Sequence, residues 1–218
     1  MQATKIIKTG IKIAVVIITL LAGFQSAHSN VAASSPETTT NLLDGITLDS
    51  SLSPEDVTYL ATTLQLLRDQ LPEWAQYVQD SKPFTLIVDT REGDKGREAI
   101  ANCCDTQGRG TITLGHHLGY SVDANTPEAQ QAMFIGTLIH ELAHVRDQRA
   151  GRASKTSFKS CVTAEKSGLD KQLDVKRAMA TLNLGYGYRQ ALDQQITSEA
   201  KALQSRELWD FYCGAFDK

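Results

Sequence analysis

The stretch from Thr126 to Gly151 constrains this 218-residue chain more than any other. It reads as one long helix with both ends marked. Thr126 is an N-cap residue, Pro127 and Glu128 suit a first turn, and Gly151 follows the last turn. Ile135, Leu138, Ile139, Leu142 and Val145 recur at helical spacing and give it an apolar face. Within it lies His140-Glu141-Leu142-Ala143-His144. Four helical residues turn through about 400°, so the two imidazoles stand about 40° apart and one turn from each other. Their Cβ atoms then lie about 5–6 Å apart, close enough for both rings to reach one ion. Glu141 points about 100° away from His140, where it can meet a metal-bound water rather than the metal.

Two imidazoles do not complete a metal site, and a third protein ligand is expected. A further helix is predicted over about 162–182. Val162, Leu169 and Leu173 mark its apolar side, and Glu165 falls on that side. A carboxylate on a buried stripe is costly unless paired or metal-bound, which makes Glu165 the first choice. Asp170 and Asp174 point towards the polar side and rank behind it.

The remaining pattern places these helices in an α+β domain. Ser53 caps a helix that opens with Pro54, Glu55 and Asp56 and carries Leu60, Leu64, Leu67 and Leu71. Pro72 interrupts it, and a short helix follows over 73–79. Phe84–Val88 reads as a buried strand, 91–108 as a loop, and Gly110–Leu114 as a half-buried strand. Residues 184–188 form a Gly/Tyr turn, and a last helix is expected over 190–209. Hydrophobic residues make up 41% and charged residues 22%, as in ordinary globular proteins. The net charge of -3 argues against a general nucleic-acid binder.

The sequence resembles zinc metallopeptidases of the zincin superfamily, of the gluzincin type. The resemblance rests on His140, Glu141 and His144, on Glu165 placed 21 residues after His144, and on Thr137 and Leu138 before the motif. The chain lacks the Gly and third His that would follow in a metzincin. Arg146 departs from the usual hydrophobic residue. The resemblance covers about residues 110–175. It implies one zinc per chain held by His140, His144 and Glu165, with Glu141 as general base. It also implies a zincin-like fold, a small sheet packed against the motif helix with further C-terminal helices. A strand beside that helix would run antiparallel to bound peptide. Gly110–Leu114 is the expected strand, its edge open to an extended substrate. Candidate oxyanion donors are Tyr186 and Tyr188, with His116 and His117 as further options. Asp147 could orient an imidazole, and Gly136 could leave room near the site.

Lys5, Lys8 and Lys12 followed by the apolar run Ile13–Phe24 read as a signal peptide over residues 1–29, with small residues before Asn30. A second cleavage point precedes Ser34. An uncleaved N-terminal anchor is the alternative. Without residues 1–29, which hold three of the 22 basic residues and no acid, the formal charge is -6. Residues 30–52 suggest a flexible lead-in, and 53–218 a single domain. A secreted or periplasmic location follows, with no stable membrane association after signal cleavage. Cys103, Cys104, Cys161 and Cys213 suit such an oxidising compartment. Adjacent cysteines pair under strain, so Cys103 and Cys104 are expected to pair with the distant two. A Cys/His metal site from Cys103, Cys104, His116 and His117 fits no common zinc spacing. The function expected is hydrolysis of peptide bonds in a peptide or protein substrate. The competing readings are a non-catalytic zinc-binding protein and a cell-wall peptide amidase.

Overall fold

The computed structural model describes residues 42–95, 97–120, 126–152 and 156–216. Among them the protein is α+β, with seven α-helices and one four-stranded mixed sheet. Residues 1–29, expected to be a signal peptide, lie outside the described residues. Strand β1 (Ile46–Leu48) is followed by helices α1 (Pro54–Gln70) and α2 (Pro72–Asp80). Strand β2 (Phe84–Val88), the short α3 (Thr90–Gly93), and strands β3 (Ala99–Asn102) and β4 (Gly110–Leu114) complete the sheet. Helices α4 (Pro127–Arg149), α5 (Phe158–Ala180), α6 (Tyr186–Ala202) and α7 (Arg206–Cys213) follow, with a 3₁₀ turn over Gly214–Phe216.

Local chemistry sets the helix starts. The Ser53 side chain accepts from the Asp56 amide, and the Asp56 carboxylate accepts from the Ser53 amide, a reciprocal capping box. Thr126 caps α4 by accepting from the Ala129 amide. Ser157 caps α5, which begins four residues before the expected start. The single last helix expected over 190–209 is two helices. The chain turns after Ala202, and Ser205 caps α7 through the Leu208 amide. Ser and Asn favour such breaks because their side chains compete with the helical ladder.

The strand order is β1-β2-β4-β3. β1, β2 and β4 are mutually parallel, and β3 runs antiparallel to β4, pairing Ala99 with Leu114 and Asn102 with Thr111. Two expectations change here. Gly110–Leu114 is an interior strand, flanked on both sides, so its edge is not open. The edges are β1 and β3, and β3, which lies inside the segment expected to be loop, packs along α4. Its four residues, Ala-Ile-Ala-Asn, are too few to show strand alternation against the Gly- and Asp-rich flanks. The expected lead-in over 30–52 is also partly structured. Leu42 and Ile46 are buried, and β1 pairs with β2.

One core joins the layers. Leu60, Leu64 and Leu67 of α1, Phe84 and Leu86 of β2, and Ile112 of β4 meet Ile135, Leu138, Ile139 and Leu142 of α4. Val175 and Met179 of α5 close the far side of α4. Gly136 allows the α4–α5 approach. A Cβ there would come 2.5 Å from Cε of Lys176, a residue with no solvent exposure. Lys176 pairs with Glu199 of α6, and Gln172 donates to the same carboxylate at 2.8 Å. Gly136 therefore serves helix packing around this buried ion pair. Arg146, where the zincin pattern would have a hydrophobic residue, lays its guanidinium 4.4 Å from the Tyr77 ring centroid. Arg149 donates to the carbonyls of Ser81, Lys82 and Pro83, tying the end of α4 to the entry of β2.

The cysteines pair as Cys161–Cys213 and Cys103–Cys104. This corrects the expected cross-pairing. Helix α7 packs on α5 and brings Cys213 within 5.7 Å (Cα–Cα) of Cys161, so the two distant cysteines satisfy each other. Cys103 and Cys104 follow β3, where the Cys103 amide donates to Gln148 of α4, and they are left as a pair.

Candidate metal centre

Helix α4 presents His140 and His144 from successive turns, and α5 faces them with Glu165. His140 Nε2 lies 3.3 Å from Glu165 Oε2, and His144 Nε2 lies 3.4 Å from the same oxygen. The two Nε2 atoms are 3.0 Å apart. All three side chains are buried, with residue exposures of 6%, 2% and 4% for His140, His144 and Glu165. Two imidazole nitrogens and a carboxylate oxygen thus converge on one point, and the group can hold a metal ion. A cation bound there would offset the charge of the buried carboxylate and could take a lone pair from each imidazole.

The local sequence accounts for this geometry. On α4 the residues around the histidines, Ile139, Leu142, Ala143 and Val145, are buried, so the His-bearing turns are locked into the core. On α5 Glu165 shares the buried side with Cys161, Gly168, Leu169 and Gln172. Gly168 stands one turn after Glu165 and is a residue the sequence reading passed over. A Cβ at this position would lie 2.8 Å from His140 Nε2, so only glycine lets the imidazole occupy its place. A glycine inside an otherwise regular helix, three residues from a ligand candidate, was the available signal.

Glu141 is buried at 6% exposure on the motif helix. Asp170 and Asp174 face solvent and pair with Lys166 and with Arg177 and Lys171. Asp147 sits one turn after His144 but bonds elsewhere. It accepts from Arg152 at 2.9 Å and from the Ser167 hydroxyl at 2.9 Å. His144 Nδ1 is buried and has no hydrogen-bond partner among the described residues, so Asp147 does not orient that ring. Tyr186 is 80% exposed at the start of α6. The Tyr188 hydroxyl bonds Gln131, and its ring lines a groove with Pro54, Tyr59 and Pro127. Gln131 stands nine residues before His140, about 13 Å along the helix axis, so the groove is separate from the metal centre.

His116 and His117 border a small hollow with Glu98 and Thr137, the latter one turn before Glu141. His117 Nδ1 lies 2.7 Å from Asp56 Oδ2, and Asp56 Oδ1 accepts from the Leu118 amide at 2.7 Å. Burial alone would raise the Asp56 carboxyl, but the bonds from His117, Ser53 and Leu118 outweigh it and hold it below the usual range. His117 is thereby engaged in fixing the chain after β4 to the start of α1. Tyr212 on α7, which the sequence does not single out, is 41% exposed, and its backbone carbonyl lies 3.8 Å from Cys161 Sγ, one turn before Glu165. Burial, with the carboxylates of Glu165 and Glu141 next in weight, pushes its hydroxyl up to about 12.

No protein family, curated protein or solved structure matches this chain.

Proposed function

We propose that the protein is a zinc-dependent hydrolase of peptide bonds with a zincin-like active centre, acting outside the cytoplasm. The convergence of His140 Nε2, His144 Nε2 and Glu165 Oε2 carries this reading. Zinc bonds of about 2.0–2.1 Å to nitrogen and oxygen in a tetrahedral shell place neighbouring donors about 3.3–3.4 Å apart. The two His–Glu distances of 3.3 and 3.4 Å match that spacing. Two nitrogens and one carboxylate oxygen also form a zinc-type donor set that keeps a fourth position for water or substrate.

A zinc held by His140, His144 and Glu165 would lower the pKa of a water to about 7 and polarise a carbonyl. The chain's own residues supply the rest. Glu141 accepts the proton of the attacking water and passes it to the leaving nitrogen, so the base is regenerated with each turnover. Burial around Glu141 excludes bulk water and strengthens its action on charge nearby. The β3 edge, beside α4, offers backbone groups to an extended peptide, the role expected of Gly110–Leu114. The Cys161–Cys213 and Cys103–Cys104 pairs are compatible with an extracellular location.

The ligand set is tested by zinc titration of purified variants. Glu165→Ala should weaken zinc binding by more than about 100-fold, beyond the loss typical of an outer-shell residue. Asp170→Ala should bind zinc as the wild type does. The reverse pattern would remove Glu165 from the centre.

A further inference from the structure

A second cavity lies away from the metal centre. It is a groove of about 560 Å³ between the N-terminal turns of α1, α4 and α6, a size usual for small-molecule sites. Gln131 borders it on α4, about half a turn round that helix from His140 as well as about 13 Å along it. Most of the lining is apolar. The rings of Pro54, Tyr59, Pro127 and Tyr188 form much of it. Thr58 and Thr62 donate their hydroxyls back along α1, to the carbonyls of Pro54 and Thr58. The Gln131 amide is satisfied between the Thr63 and Tyr188 hydroxyls. The remaining polar groups favour one kind of ligand. Glu55 on α1 and Glu128 on α4 have no ion-pair partner among the described residues, and no Lys or Arg lines the groove. Both sit in first turns, where a carboxylate suits the helix dipole, and both remain free to meet a cation. The Tyr59 hydroxyl is buried and has no hydrogen-bond partner among the described residues. An anion would find few donors here. Pro54 and Pro127 have no N–H, and the Asp56 and Ala129 amides are taken by the caps Ser53 and Thr126.

We propose that this groove binds a linear aliphatic diamine or polyamine, with ammonium groups at Glu55 and Glu128 and the methylene chain along the Tyr59 and Tyr188 rings. Two carboxylates on separate helices call for two positive charges, and the apolar lining suits a methylene spacer. Each methylene fully buried there strengthens binding by about fourfold. Tyrosine rings attract an ammonium through their electron-rich faces. The Tyr59 hydroxyl oxygen accepts from an ammonium N–H. The formal charge of -3 favours the approach of such cations. Neither Glu141 nor the metal-ligand residues take part, so this site is independent of the hydrolase reading.

The test is calorimetric titration of the full-length zinc-loaded protein with diaminobutane, diaminohexane, diaminooctane and spermidine, with hexylamine as the singly charged control. One saturable site per chain is expected. The best diamine should bind about three- to fivefold more tightly than hexylamine, the value of one further exposed charge pair. Glu55→Gln and Glu128→Gln should each weaken that diamine by about three- to fivefold, and together by about tenfold or more. Tyr188→Leu, which removes a ring face, should weaken it by about two- to fivefold. Asp170→Asn, which alters an exposed acid on α5, should bind as the wild type does. Circular dichroism and zinc content, read on each variant, show that the fold and the metal centre are kept. The comparison of diamine with hexylamine on the wild type needs no variant at all. Amines also ligate zinc, so a diamine held at the metal centre would keep its affinity in the Glu55→Gln, Glu128→Gln double variant, and that result overturns the assignment. Hexylamine bound as tightly as every diamine, or no saturable binding of any probe, overturns it as well. Peptide cleavage measured on the same samples reports on the hydrolase reading separately.

Discussion

Asp56 shows how much one residue joins in this fold. Its carboxylate caps α1 through the Ser53 amide, meets His117, and accepts from the Leu118 amide, at 2% exposure. Hydrogen bonds to a buried charged group are worth about 1.5–3 kcal/mol each to stability, so Asp56→Ala should destabilise by about 2–3 kcal/mol at pH 7. The folded-state pKa lies below the unfolded value of about 3.9, so the stabilisation is complete above that value and is lost as pH falls through the folded pKa. Urea unfolding at pH 7 and near pH 3 should therefore show the gap between wild type and Asp56→Ala shrinking in acid. A gap independent of pH would exclude an ionised Asp56 as its source. At this scale the metal-ligand candidates were legible in sequence because the signal is local: His140 and His144 follow from one helical turn, and Glu165 from its place on an apolar stripe. Gly168 was harder to read because its importance lies in what it approaches across space. The His140 ring that Gly168 accommodates lies 28 positions earlier in the chain, which no periodicity encodes.

Helices α5 and α7 are joined covalently, and that link can be weighed separately from their packing. Cys161 and Cys213 close a loop with a sequence separation of 52. Loop-closure entropy for that length gives about 4 kcal/mol, with native disulfides commonly contributing about 2–4 kcal/mol. Replacing both cysteines with serine should lower stability by that order, and non-reducing peptide mapping should recover Cys161 linked to Cys213. Recovery of a peptide joining Cys161 to Cys103 or Cys104 would contradict the fold around α7. The elements themselves were read well where caps and periodicity agree, as at Ser53, Thr126 and Phe84–Val88. Strand neighbours were not, since pairing between β4 and β3 depends on tertiary docking against α4. Gly110–Leu114 shows the same alternation whether it is an edge or an interior strand, so its sequence carries no mark of its place in the sheet.

Across the molecule, the centre lies at the contact between α4 and α5, the most extensive between any two elements. Its three buried ligand candidates come from both helices, so a metal held there would couple its binding to the packing of the domain. Chelation should lower Tm, and added zinc should restore it in a concentration-dependent way. Calorimetry showing the same Tm with and without a chelator, at confirmed zinc loss, would place the metal outside the folding equilibrium. The α+β class was legible from the order of helices and strands, whereas the link between the chain end and the centre depends on a disulfide pairing that four cysteines do not specify. The account's central claim is that this buried group is a working hydrolytic centre with Glu141 as its base. The most direct test measures zinc content and peptide cleavage together in Glu141→Gln, which keeps the side-chain size and cannot accept the proton. The account predicts one zinc per chain, a wild-type fold, and cleavage reduced by at least about 10²-fold. Full zinc occupancy with unchanged cleavage would contradict it.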